Sequence, residues 1–242
     1  RVSIVRSPDL KEERSRSVNG SVDWYHFFGD FQLNLLFEGF YTKLNDPFVL
    51  SAPVEADNGS LVQTRTNGSG AKVYGGTLEG KIAYRNKAQL QAGITVQHSL
   101  YDNPEEWSAD KAHLTDAERN SDKILRTPNL YGYFTASYTP VKPFTIALNG
   151  NYTGRMYVPH LLSQVDGRAD VLVKSPDFFE LGAKLSYDFK LTANMTLQLN
   201  AGVQNMFNSY QSDFDRGATR DSGYIYGPGS PRTYYAGARF SF

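Results

Sequence analysis

Residues 31–41 read Phe31-Gln32-Leu33-Asn34-Leu35-Leu36-Phe37-Glu38-Gly39-Phe40-Tyr41, and their alternation decides the fold. Phe31, Leu33, Leu35, Phe37 and Tyr41 fall on odd positions, with Gln32, Asn34 and Glu38 among the even ones. A period of two sends successive side chains to opposite faces of an extended strand. The pattern recurs along the chain. Leu90, Ala92, Ile94 and Val96 oppose Gln89, Gln91, Thr95 and Gln97. Phe144, Ile146, Leu148 and Tyr152 oppose Thr145, Asn149, Asn151 and Thr153. Phe179, Leu181, Ala183, Leu185, Tyr187 and Phe189 oppose Glu180, Lys184, Ser186 and Asp188. Leu197, Leu199, Ala201 and Val203 follow the same rule, as do Tyr234, Ala236, Ala238, Phe240 and Phe242. Residues 18–24, 74–84 and 130–138 fit less cleanly, which brings the expectation to nine strands.

The connectors alternate in length. Short ones fall at 29–30, 85–87, 139–143 and 188–194; long polar ones fall at 45–60, 102–127, 159–176 and 208–231, with 1–14 as the tail of another. Short turns on one side and long loops on the other match an outer-membrane barrel. A soluble β-sandwich also alternates, but several strands here reach ten residues, close to the roughly 9–11 that cross a bilayer at a tilt. Rings gather at the strand ends. Phe28, Phe31, Tyr84, Tyr138, Phe144, Phe189 and Phe242 lie beside short turns, and Tyr41, Tyr74, Tyr101, Tyr152, Tyr157 and Phe207 lie toward long loops. The sequence therefore predicts an all-β, transmembrane, antiparallel up-and-down β-barrel.

Composition agrees. The 242 residues hold 25 basic and 25 acidic side chains, which gives no electrostatic case for nucleic acid. Sixteen Tyr and fifteen Phe sit beside a mean hydropathy of -0.46, a combination that suits ring girdles together with a polar lumen. There is no cysteine, hence no disulfide scaffold or thiolate metal site. The apolar faces are nearly free of charge, as they must be where a basic residue at the bilayer midplane costs about 2–4 kcal/mol. Glu38, Glu79, Lys81, Glu180, Lys184, Asp188 and Arg239 all fall on the other face, which must line water or a polar plug. Nine strands are odd, whereas bacterial single-chain barrels are even. Either a tenth strand lies near residues 1–14 or the rest of the barrel lies elsewhere.

Four segments carry a family resemblance. Leu199-Asn200-Ala201-Gly202-Val203-Gln204-Asn205-Met206-Phe207-Asn208 resembles the penultimate strand of TonB-dependent receptors, with Met206 in place of the usual Leu. Asp215 to Asp221, Tyr224 to Pro228 and Pro231-Arg232 are similar to the last loop of these receptors, and the chain ends on Arg239-Phe240-Ser241-Phe242. Ser7-Pro8-Asp9-Leu10-Lys11-Glu12-Glu13 resembles the family's Asn-Leu-Lys-Pro-Glu, without the Pro before Glu13. Gly70 to Glu79 resembles the strand Ala-x-Val-x-Gly-x-Glu-Leu-Glu, with Thr77 for its first Glu. The resemblance implies that residues 1–242 are the C-terminal part of a 22-stranded barrel, with nine or ten strands here and the plug domain absent from these residues. It implies energised import of a bulky nutrient such as a metal chelate, a cobalamin-like cofactor or a glycan. The implied partners are outer-membrane lipid, TonB through the plug, the barrel-assembly machinery through the strand ending at Phe242, and a surface lipoprotein.

For chemistry the sequence offers little. His26, His98, His113 and His160 lack ligand spacing, and no nucleophile elbow or phosphate loop appears. No enzymatic activity, metal or cofactor is expected. Glu105, Glu106, Asp110 and Asp116, interspersed with Lys111, Arg119 and Lys123, predict a short solvated helix. Asp213, Asp215, Asp221, Arg216 and Arg220 read as loop-to-loop salt bridging or as ligand contacts. The substrate-binding candidates are Trp107, Asp213, Arg216, Arg220, Tyr224 and Tyr226, because rings with a few polar groups make pockets. Two other functions stay open: a small self-closing barrel acting as passive pore or adhesin, and an outer-membrane hydrolase, for which the histidines supply no constellation.

Overall fold

The computed structural model describes residues 2–51, 54–56 and 59–242. In chain order its strands are β1 (Val2–Arg6), β2 (Arg14–Phe28), β3 (Phe31–Asn45), β4 (Phe48–Leu50), β5 (Val54–Glu55), β6 (Leu61–Asn67), β7 (Ala71–Tyr84) and β8 (Ala88–Glu106). There follow β9 (Asn120–Lys123), β10 (Leu130–Val141), β11 (Phe144–Thr153), β12 (Tyr157–His160), β13 (Val171–Lys174), β14 (Phe178–Lys190), β15 (Thr196–Gln204) and β16 (Thr233–Ser241). Nine of them form one antiparallel wall in the order β16-β15-β14-β11-β10-β8-β7-β3-β2, and these are the nine expected from alternation. Each wall strand pairs with its sequence neighbours in the wall, so the topology is an up-and-down meander. Among the described residues the path does not close: β2 and β16 are its edges. Both edges run from the long-loop side to the short-turn side, because the count is odd.

Register settles the two faces. Val22, Phe37, Leu78 and Ile94 stand in one row across β2, β3, β7 and β8, and all four are exposed. Large apolar side chains exposed in a continuous row are unstable in water and satisfied in hydrocarbon. The opposite face pairs Glu38 with Thr77 and Thr77 with Thr95, then Glu79 with Gly93 and Gly93 with Tyr133. Rings border the outward face. On the short-turn side Trp24, His26, Phe28, Phe31 and Tyr84 stack in succession, with centroids 4.8–5.9 Å apart. On the other side Tyr41, Tyr74 and His98 form a second row. Tyr101 pairs with Ala71 and faces inward, so it leaves the outward girdle.

The long connectors hold more order than the sequence suggested. Residues 2–14, expected as loop tail, contain β1, which lies parallel to β6; Arg1 lies outside the described residues. The connector at 45–60, whose residues 52, 53, 57 and 58 also lie outside them, contributes β4 and β5, both antiparallel to β6. Thus no tenth wall strand lies within residues 2–14. The short helix expected around residues 105–123 is not formed. β8 continues to Glu106 because it pairs with β7 up to Tyr101 and then with β9. Between them, side chains cap the backbone locally instead: Asp110 Oδ1 accepts from His113 N at 3.1 Å, and Glu118 Oε2 accepts from Thr115 N at 2.8 Å. Since a membrane wall has no dry interior, the buried apolar cluster sits at its long-loop end, where the loops meet the start of β14. It consists of Val158, Phe178, Tyr224 and Tyr226, with Met156 and Val173 against it.

Candidate functional site

The last long loop leaves β15 at Asn205, in the left-handed region at φ 46°, which Asn tolerates better than most residues. Its side chain closes the neck of the loop: Nδ2 donates to Ser209 O at 2.8 Å and Ser230 O at 2.9 Å, and Oδ1 accepts from Ser209 N. Asn208 Oδ1 accepts from Arg232 N at 3.0 Å. The two asparagines of the Asn-Met-Phe-Asn stretch are therefore staples between the two ends of one loop.

Above the neck lies a knot. Tyr224 donates its phenol to Asp213 Oδ2 at 2.7 Å and Tyr226 donates to Asp213 Oδ1 at 2.6 Å. The rings meet edge-on at 5.4 Å, and both residues are buried. Burial first, and the Asp213 carboxylate second, push Tyr226 up to about 12 and Tyr224 further still. Burial opposes ionisation of Asp213, but the phenols of Tyr226 and Tyr224 outweigh it and hold the carboxyl below its ordinary value. At neutral pH the knot is one anion between two neutral phenols. Gln211, fully buried, ties it to the backbone: its Oε1 accepts from Tyr226 N and its Nε2 donates to Tyr224 O.

Neighbouring loops join the knot. His160 on β12 stacks flat on Tyr224 at 3.8 Å, and its Nε2 sits 2.8 Å from Asp215 Oδ2. The imidazole, then the Asp221 amide, hold the Asp215 carboxyl low. Asp221 Oδ2 accepts from Leu161 N at 2.8 Å. Arg126 reaches in from the β9–β10 connection and donates to Ile225 O at 2.7 Å and Gly223 O at 2.6 Å. A second joint sits apart: Ser108 Oγ donates to Asp170 Oδ2 at 2.6 Å, and Asp170 N donates to Asp110 Oδ2 at 3.1 Å. Three long loops thus form one cap.

The six candidates separate. Asp213, Tyr224 and Tyr226 come together as one knot, its two rings buried and Asp213 on its exposed side. Arg216 and Arg220 lie on the exposed outer turn, where Arg220 Nη1 donates to Gly217 O at 2.8 Å and Arg216 has no partner among the described residues. Trp107 stands half-buried in another loop, its indole N–H donating to Glu118 O at 2.9 Å, and makes none of the knot's bonds. The expected salt bridging takes another form, since Asp215 and Asp221 bind His160 and a backbone amide rather than Arg216 or Arg220. Gln211, His160 and Arg126 were not singled out by sequence. Below the cap the inward face carries its own network: Gln91 Nε2 donates to Glu79 Oε1 at 2.8 Å and to Tyr133 OH at 3.1 Å, while Tyr133 donates to Glu79. Among the described residues no group of three or more His, Asp or Glu side chains is arranged to hold a metal ion.

An apolar outward face between two ring rows, a polar inward face and a cap of tied loops define the wall of an outer-membrane β-barrel. The family described as TonB dependent receptor-like, beta-barrel matches residues 2–206, and the chain belongs to that family. Its members are outer-membrane proteins, which fixes the location. No curated protein matches the chain by sequence. Among solved structures, the ferric-catecholate import receptor Fiu from E. coli is similar over 97% of this chain and 28% of its own, at 20% identity and a TM-score of 0.62. The FrpB iron transporter from Neisseria meningitidis is similar over 98% and 32%, at 19% identity and 0.55. A variant of the ferric enterobactin receptor PfeA from Pseudomonas aeruginosa is similar over 96% and 31%, at 16% identity and 0.59. At these identities the likeness is one of fold. The chain spans about a third of the length of these structures.

Proposed function

We propose that residues 1–242 are the C-terminal part of the barrel of a TonB-dependent importer, whose plug and remaining strands lie elsewhere in the protein. The observation that carries the reading is the polar inward face beneath a cap of loops tied to one another, on a wall of this family. The edges support it too. β2 and β16 run the same way, so pairing them directly would demand a parallel contact, whereas such barrels close antiparallel. That speaks against the small passive pore.

For cargo we propose an anionic iron chelate, since Fiu is a ferric-catecholate import receptor and PfeA a ferric enterobactin receptor. Arg216 and Arg220 supply cationic contacts on an exposed turn, Trp107 a ring face, and Asp213, Tyr224 and Tyr226 hold that turn up. Energy would come from TonB acting on the plug. The test is uptake of a radiolabelled ferric-catecholate chelate by cells that carry the full-length receptor alone. The expected result is uptake abolished by a protonophore, with half-saturation raised several-fold by the pair Arg216→Ala and Arg220→Ala. Uptake indifferent to the protonophore would overturn the importer reading. Energised uptake of other cargo, with none of the chelate, would overturn the cargo alone.

A further inference from the structure

On the short-turn side, the outward face ends in a slot of about 340 Å³. Phe31, Tyr84 and Tyr138 wall it with rings, and Ala88 and Ala136, on the neighbouring strands β8 and β10, keep it from being filled. Directly beyond lies a second cleft of about 530 Å³, between the turns at 85–87 and 139–142. Thr139 N donates to Lys87 O at 2.7 Å, which fixes the two turns side by side. Three cations line the second cleft: Arg85, Lys87 and Lys142. Arg85 is engaged, ion-paired to Asp30 at 2.5 Å with its guanidinium 5.5 Å from the Tyr84 ring centre. Lys87 and Lys142 are exposed, their ammonium groups have no partner among the described residues, and no carboxylate lines either cleft.

An apolar slot whose Tyr84 and Tyr138 are followed directly in the chain by Arg85 and Thr139 of a cationic cleft matches an amphiphile with a negative head. In barrels of this class short turns face the periplasm, so the lipid available there is that of the inner leaflet. We propose that the two clefts together hold one anionic phospholipid of the periplasmic leaflet, with an acyl chain between Tyr84 and Tyr138 and the phosphate at Lys87 and Lys142. The rings supply flat walls at the interface, where aromatic side chains prefer to sit. The two lysines supply the charge selection, since basic side chains beside a membrane favour anionic head groups. The site is independent of what the receptor imports.

The test uses the delipidated full-length receptor in detergent, titrated with phosphatidylglycerol or with zwitterionic phosphatidylethanolamine and read by native mass spectrometry. The expected result is one phosphatidylglycerol held in clear preference. The pair Lys87→Gln and Lys142→Gln should weaken it about thirtyfold, from the usual attraction of one basic side chain for an anionic surface taken twice, and leave the two lipids equal. Ala136→Leu, which fills the slot without touching charge, should remove retention of both. Migration of the unheated, folded protein on a gel confirms that each variant is native. Equal binding of the two lipids by the native protein, or a preference that survives either variant, would overturn the site.

Discussion

Leu148 and Asn149 are consecutive residues near the middle of β11, and the wall assigns them to opposite solvents. Leu148 lies in register with Ala136 and Ala183 on the outward face, between the Phe144 and Tyr152 ends of its strand. Asn149 lies in register with Thr135 and Gly182 on the inward face. Arginine at position 148 would be placed at the hydrocarbon midplane, at a cost of about 2–4 kcal/mol. At about 1.4 kcal/mol per decade, that shifts the unfolding equilibrium roughly thirtyfold to a thousandfold. Arginine at 149 extends into a polar lumen, where a substitution away from a buried group changes stability by about 0.5 kcal/mol or less. The assay is a urea series on the full-length receptor folded into vesicles, scored by the fraction migrating as folded protein on an unheated gel. Leu148→Arg should lower the midpoint well below that of Asn149→Arg. Equal losses, or the reverse order, would refute the assignment of faces and with it the membrane wall.

Other expectations concern the cap. Asp213→Ala leaves two buried phenols without their acceptor, at about 1–3 kcal/mol for each unsatisfied group; residues 205–232 should exchange amide hydrogens faster while the wall strands do not. Arg126→Ala removes both bonds to Gly223 and Ile225 carbonyls and should open the same loop to proteolysis without changing the urea midpoint. Asp215 has its carboxyl lowered by His160, so its contribution is complete above the ordinary carboxylate value of 3.8 and is lost only as pH falls below it. Aromatic circular dichroism of the cap should therefore stay constant from pH 7 to about 5 and collapse at lower pH, earlier in His160→Ala. Tyr226 is raised, so its share is complete below its ordinary value of 10.0 and is lost as pH climbs through about 12. Absorbance of tyrosinate should show this phenol ionising after the exposed ones, and Asp213→Asn should bring it forward.

The wall was legible because its information is local. Alternation within ten residues names the strand and its faces, and Phe31 to Tyr41 alone fixes the face of every residue in β3. The small strands were not legible: β1 and β6 pair in parallel across some sixty residues, and neither alternates long enough to stand out. The helix expected near residues 105–123 failed because mixed charge describes solvation rather than backbone hydrogen bonding, and the backbone there is capped by Asp110 and Glu118. In the cap, the sequence pointed at Asp213, Tyr224 and Tyr226 through composition alone. It had no means of finding Arg126, whose partners lie 97 and 99 residues away, or His160, whose partner lies 55 away. Burial also reversed the emphasis: the tyrosines that looked like a contact surface face one another and Asp213, while Arg216 is the cation of the group without a partner among the described residues.

The joints among the loops restrict how the mouth can open. Three free loops would each sample their own positions, and a bulky solute could push them aside one by one. Here Arg126, His160 and Asp221 carry any displacement of the last loop into its neighbours. The natural motion is then that of a single plate turning about the necks where its loops join the wall, one of them stapled by Asn205 and Asn208. Such a plate responds to the whole shape of what rests on it, and its threshold is set by several bonds yielding together rather than by the weakest one.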